Sequence, residues 1–126
     1  MTPIAAPGGG ALAAAVAVSG LEAARAALAA AARDGCPAIL IGDGASGGAG
    51  WFRALIAAAQ AEYPEVAVTA LLDCHDQPGL VLSGLRAGLS DFRFCGPAGI
   101  AERLAALAAA AGARLHRANP DTASPA

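Results

Sequence analysis

Two short stretches carry the residue types that do chemistry. The first, "DCHD" at 73–76, sets Asp73, Cys74, His75 and Asp76 side by side. An imidazole titrates near neutrality and serves as general acid or base. A thiol beside it becomes a nucleophile if the ring reaches the sulfur. Neighbours on a strand point to opposite faces, so these groups meet only where the chain turns. Pro78 and Gly79 supply a turn. The plainer reading of the same stretch is a polar turn in which Asp76 caps a helix starting near Pro78.

The second stretch is the run from Gly42 to Gly50, "GDGASGGAG", between the apolar "AILI" (38–41) and "WFRALIAAAQAEY" (51–63). Gly42, Gly44 and Gly47 spell G-x-G-x-x-G. Glycines let a backbone approach a phosphate, and a helix N-terminus attracts anions. Gly42, Asp43, Gly44, Ser46 and Gly47 are therefore the candidate ligand-binding residues, for a phosphate or a nucleotide. The dinucleotide fingerprint wants an acidic residue about 20 positions on, whereas Asp73 lies 26 beyond Gly47. The competing reading is a flexible strand-to-helix loop. Asp43, Asp73, Cys74 and His75 are the catalytic candidates. Cys74, His75 and Cys95 with Asp43 or Asp73 have zinc-ligand chemistry but no C-x-x-C spacing, so neither a metal nor a cofactor is expected.

Those residues sit in a chain of 126 that is 56% hydrophobic and 14% charged, which fits one globular domain. Much of the apolar content is alanine, which favours helix but buries little area. The formal net charge is −2, and the 8 basic Lys and Arg residues are scattered and all arginine. Nucleic-acid binding proteins usually carry a basic stripe to neutralise phosphates, so no nucleic-acid partner is expected. The absence of lysine excludes a Schiff-base lysine and a Walker lysine. No apolar run reaches the roughly 18 residues that span a bilayer, and the N-terminus lacks a positively charged leader. Cys36, Cys74 and Cys95 are odd in number and widely spaced, as in reduced thiols of a cytoplasmic protein.

Strand and helix patterns alternate along the chain. Residues 1–10 read as a loose N-terminal arm and 117–126 as a disordered polar tail, leaving an α/β domain over 11–116. "ALAAAVAV" (11–18) is a weak strand. Ser19 with Glu22 forms a capping box for a helix to about Ala32, stopped by Gly35 and Pro37. "AILI" is a strand of the buried parallel type. The helix over 51–63 is closed by Pro64. "VAVTALL" (66–72) and "DFRF" (91–94) are strands. Residues 78–89 and 98–115 are helices, with His116 near the end of the last, where a cation suits the dipole. About four βα units imply a small open parallel sheet. Ligands of such sheets bind beyond the strand carboxyl ends.

The segment from Gly50 to Ala108 then resembles the later part of a bacterial response-regulator receiver domain, the flavodoxin-like phosphoacceptor module. The resemblance rests on Gly50 and Trp51 opening a helix, Pro64 before a β-branched strand, the "HD" pair after it, "LRAGLSDF", and Pro97 after the last strand. It extends over about residues 14–110, without a counterpart of the family's first strand and helix. It implies a receiver-like fold and a signalling role. The family's acidic magnesium pair has no match. Gly42 stands at the phosphoacceptor position with Asp43 one residue off. Asp73 stands where the family has a hydroxyl, and Gly96 where it has a lysine. The resemblance thus implies a degenerate, phosphorylation-independent module.

A sheet lacking a central strand either closes the gap or accepts a strand from elsewhere, and open edges invite association. The first expectation is therefore a non-catalytic protein-interaction or regulatory module that forms a homo-oligomer or binds a protein partner. Its interface would be Leu80, Val81, Leu85 and Leu89, or Ile100, Leu104 and Leu107. The alternative is a small-ligand or enzymatic site at the strand ends, using the Gly42–Gly50 loop with Asp73 and His75. A fragment of barrel-type architecture is a third.

Overall fold

A computed structural model describes residues 15–118; the expected arm at 1–10 and residues 119–126 of the expected tail lie outside them, whereas Arg117 of that tail is the last residue of a strand. Five strands, β1 (Val16–Ala17), β2 (Ala38–Asp43), β3 (Val68–Asp73), β4 (Asp91–Phe94) and β5 (Arg114–Arg117), alternate with four helices. These are α1 (Leu21–Asp34), α2 (Gly44–Glu62), α3 (Pro78–Arg86) and α4 (Ala98–Ala110). The strands form one sheet in the order β1-β2-β3-β4-β5, and every pairing is parallel. The α/β class and open parallel sheet expected from the alternation are what the structure has, and they are consistent with the flavodoxin-like fold that the resemblance implies. The gap anticipated for a missing central strand is closed by β1 pairing directly with β2.

Sequential order has a consequence for the layers. Right-handed crossovers that always step in one direction place every helix on the same face. The core agrees. Leu28 of α1, Phe52 of α2, Val81 of α3 and Leu104 of α4 share one cluster with Leu40, Leu72, Phe92 and Phe94. Those strand residues all belong to one side of the pleat. Leu71, on the other side, is buried yet stands outside that cluster. Among the described residues no helix covers that second face, which carries Ile39, Ile41, Asp43, Thr69, Leu71, Asp73, Asp91, Arg93, Arg114 and His116.

Several local expectations are corrected. The capping box is absent: Gly20, not Ser19, is the N-cap of α1, and its carbonyl accepts the Ala24 N–H at 3.2 Å, so the helix starts one residue too late for the box. Gly35 does end α1, in the left-handed conformation at φ 67°. Gln77 is the N-cap of α3, with no side-chain hydrogen bond, so Asp76 does not cap it. The last helix stops at Ala110 rather than 115. Gly112 takes φ 77° and Ala113 N–H reaches back to Ala108 O at 2.7 Å, and the chain then enters β5. His116 is therefore a strand residue, 3.0 Å from the buried Asp91, which Arg114 also reaches at 3.0 Å. Val81, Leu89 and Leu104 of the expected interface are core residues, and Leu80 and Leu85 pack against that core. Only Ile100 and Leu107 of those rows are exposed. No described helix is long and apolar enough to cross a membrane.

The contact between β2 and α2 is tight because Gly42 has no side chain. A Cβ there would sit 2.5 Å from Cδ1 of Phe52, a fully buried ring with little room to move. Gly42→Ala should therefore destabilise the fold by about 1–3 kcal/mol in urea denaturation, the usual cost of overpacking. Gly50→Ala, where nothing lies within 4 Å, should have little effect.

Candidate functional site

Register builds the site. Asp43, Asp73 and Arg93 are aligned partners on β2, β3 and β4, and all three lie on the helix-free face at or near the strand carboxyl ends. The residues one step earlier, Gly42, Leu72 and Phe92, form the matching row on the helix side. A cleft of about 510 Å³ opens over this end of the sheet, lined by Ala17, Val18, Ile41, Ser46 and Trp51 as well as the charged row and His75. That volume falls within the range of small-molecule sites.

His75 joins the row through a backbone turn. Its φ of 54° is the sole positive value at a non-glycine among the described residues. Left-handed backbone at such a residue costs on the order of 1–2 kcal/mol. The turn is held by the His75 N–H donating to Asp73 Oδ1 at 3.1 Å and by Cys95 N–H donating to the His75 carbonyl at 2.8 Å. It brings Nε2 of the ring to 2.8 Å from Asp43 Oδ1, across 32 residues of sequence. Nδ1 stands 3.9 Å from Asp73 Oδ1, beyond hydrogen-bonding reach.

Asp43 is anchored from three sides. Its Oδ1 accepts the Ala45 N–H at 2.9 Å, its Oδ2 accepts the Ser46 hydroxyl at 3.0 Å, and His75 takes the remaining position. The His75 hydrogen bond, then those from Ala45 and Ser46, hold its pKa below the ordinary 3.8. The imidazole responds in the opposite direction. The hydrogen bond to Asp43 raises the His75 pKa above 6.5, with help from the Asp73 charge and against partial burial and Arg93. The arrangement is a carboxylate-oriented imidazole, half exposed, whose Nδ1 has no hydrogen-bond partner among the described residues. Such a ring can exchange a proton with a ligand in the cleft.

Cys74 does not join this group. Its side chain points from β3 into the core, fully buried, and burial with the nearby Asp73 charge pushes the thiol up to about 12. A thiol so protonated is a poor nucleophile. Among the described residues no three His, Cys, Asp or Glu side chains are arranged so that they could hold a metal ion. Asp43, Ser46, Asp73 and His75 of the sequence candidates thus converge, together with Arg93 and Trp51.

The glycine run is packed rather than open. Gly42 and Gly47 are pressed by Phe52 and Trp51, and Gly44 by the Asp73 carbonyl, 3.0 Å from where its Cβ would be. Residues 44–47 form a single turn before Gly48, at φ 85° and ψ 169°, breaks the helix. One backbone N–H at its start, that of Ala45, already donates to Asp43. Arg93 belongs to no motif, and the sequence offers Trp51 only as the opening of a helix. The parity of "DFRF" was the available signal for Arg93.

No protein-family model matches the chain, and no curated protein matches it.

Two outcomes follow from this geometry. In an NMR titration His75 should show a pKa above 6.5, and Asp43→Asn should bring it back down. The His75 term in stability is fully present below 6.5 and fades as pH rises through the raised value. The Asp43 term is present above 3.8 and fades as pH falls through the lowered one. Asp43→Asn should therefore cost more at about pH 5 than at about pH 9, by about 0.2–1 kcal/mol for so exposed a pair. Separately, iodoacetamide should modify exposed Cys36 in the native protein and leave Cys74 untouched until unfolding.

Proposed function

We propose that this chain binds a small molecule at the carboxyl ends of β2, β3 and β4, and that His75, oriented by Asp43, exchanges a proton with it. The observation that carries this reading is the convergence of Asp43, Asp73, His75 and Arg93, from three strands and a turn, around one cleft. Functional sites are where titratable groups with shifted pKa values share a concave surface. Alternation along the strands puts acids and a guanidinium here on a face that folding itself has no need to charge.

Trp51 lines this cleft and is the sole tryptophan of the chain, so its fluorescence reports occupancy. A library of small acids, amines, alcohols and sugars, screened by Trp51 emission and by amide shifts, should yield binders that move the signals of Trp51 and His75 together. Asp73→Asn and His75→Ala should each weaken those binders by about tenfold, as removal of a hydrogen bond to a charged group does. A library in which no compound perturbs Trp51 or His75 would contradict the reading.

A second reading rests on the sheet face that no described helix covers. Parallel sheets occur with both faces covered, and β2 is apolar on both sides, with Ile39 and Ile41 half-buried opposite the core. A second copy packed over Ile39, Ile41 and Thr69 supports a self-associating, phosphorylation-independent regulatory module of the kind the receiver resemblance implies. Asp43, engaged on both oxygens, suits phosphorylation independence. Light scattering with and without acetyl phosphate and Mg²⁺ should then show an unchanged dimer, which Ile41→Asp reduces to monomer. A monomer throughout would sink this second reading.

A further inference from the structure

Arg93 is the least satisfied charge in the cleft. Its side chain is 30% exposed, its nearest carboxylate oxygen is Asp73 Oδ2 at 4.0 Å, and it makes no side-chain hydrogen bond to a described residue. Arg114, on the same face one strand away, is more exposed at 55% yet contacts Asp91 at 3.0 and 3.3 Å. Guanidinium offers five N–H donors in a planar fork, and a partly buried one normally uses several of them. We propose that Arg93 anchors the carboxylate of a small carboxylic acid, with the rest of the ligand lying against Val18, Ile41 and Trp51. This rests on reading the cleft as a small-molecule site.

The head group is selected by what surrounds Arg93. A planar carboxylate matches the guanidinium fork with two parallel hydrogen bonds. A phosphate dianion would meet the Asp43 and Asp73 carboxylates in the same cleft, and the Ala45 N–H at the start of the helix already donates to Asp43. An ammonium would be drawn by the two acids but would displace a cation already balanced against them. A monoanion leaves Asp73 Oδ2, which lacks a hydrogen-bond donor among the described residues, free to accept from a hydroxyl on the ligand. The apolar wall of Val18, Ile41 and Trp51 suits a hydrocarbon or aromatic body.

The test holds the body constant and changes the head. Benzoate, phenyl phosphate, benzylamine and benzyl alcohol are titrated into the whole chain, read by Trp51 fluorescence and amide shifts. Benzoate should bind, ahead of the other three. Arg93→Met should weaken it by about tenfold or more, the usual effect of losing charge-assisted hydrogen bonds. Arg93→Lys, which keeps the charge and loses the fork, should fall between. Amide spectra of both variants establish that they fold. Benzylamine or phenyl phosphate binding as tightly as benzoate, no benzoate binding, or benzoate indifferent to Arg93→Met would each overturn the proposal. If other compounds still perturb Trp51 and His75, the cleft remains a ligand site with a different anchor. If none does, both readings fall together.

Discussion

Everything in this molecule depends on three parallel strands ending in register. Because Gly42, Leu72 and Phe92 are aligned partners, the residues that follow them, Asp43, Asp73 and Arg93, are aligned too, and alternation turns them to the opposite face. A slip of one residue in any pairing would send a carboxylate or guanidinium into the helix-facing core and an apolar group out of it. The burial of Leu72 and Phe92 therefore fixes the register, and the register delivers the charged row. The core places the site, and Val18 belongs to both.

One-sided winding determines what the row can do. Helices on both faces would close over Asp43, Asp73 and Arg93. All four described helices lie on the side of Leu40 and Phe92, no described helix lies over the opposite face, and the cleft forms at its strand ends. Two like charges on adjacent strands would be unfavourable alone. The row answers this with an imidazole on Asp43 and a guanidinium beside Asp73. His75 reaches its place only through a left-handed backbone turn held by Asp73 and Cys95. Strain of this kind persists where the surroundings over-determine it, and it concentrates at sites that act on ligands.

Much of this was legible in the sequence. Alternating apolar strands and alanine-rich helices announced an open parallel sheet, and "DCHD" and the glycine run marked the strand ends that now form the cleft. What escaped was local or long-range. Ser19 and Asp76 are good capping residues, but tertiary packing starts their helices a residue or two further on. The sequence pattern carries the last helix through Arg114 and Leu115, whereas Asp91, 23 residues before Arg114, bonds to Arg114 in a strand. The G-x-G-x-x-G spacing looked like a phosphate cradle. Its glycines answer instead to the rings of Phe52 and Trp51 and to a backbone carbonyl. Arg93 carried no motif, and only its parity in "DFRF" tied it to Asp73.

The Asp43–His75 pair is the joint on which the site turns, and its proton can be observed directly. An ionised carboxylate only accepts, so the Nε2 atom 2.8 Å from Asp43 must carry the hydrogen. Long-range nitrogen–proton NMR of His75, taken above its pKa, should show the Nε2–H tautomer with Nδ1 unprotonated and free for a ligand. Asp43→Asn should blur that preference. A neutral His75 found as the Nδ1–H form, or as an unbiased mixture in the native protein, would mean that Asp43 does not orient the ring and that the cleft has no poised base.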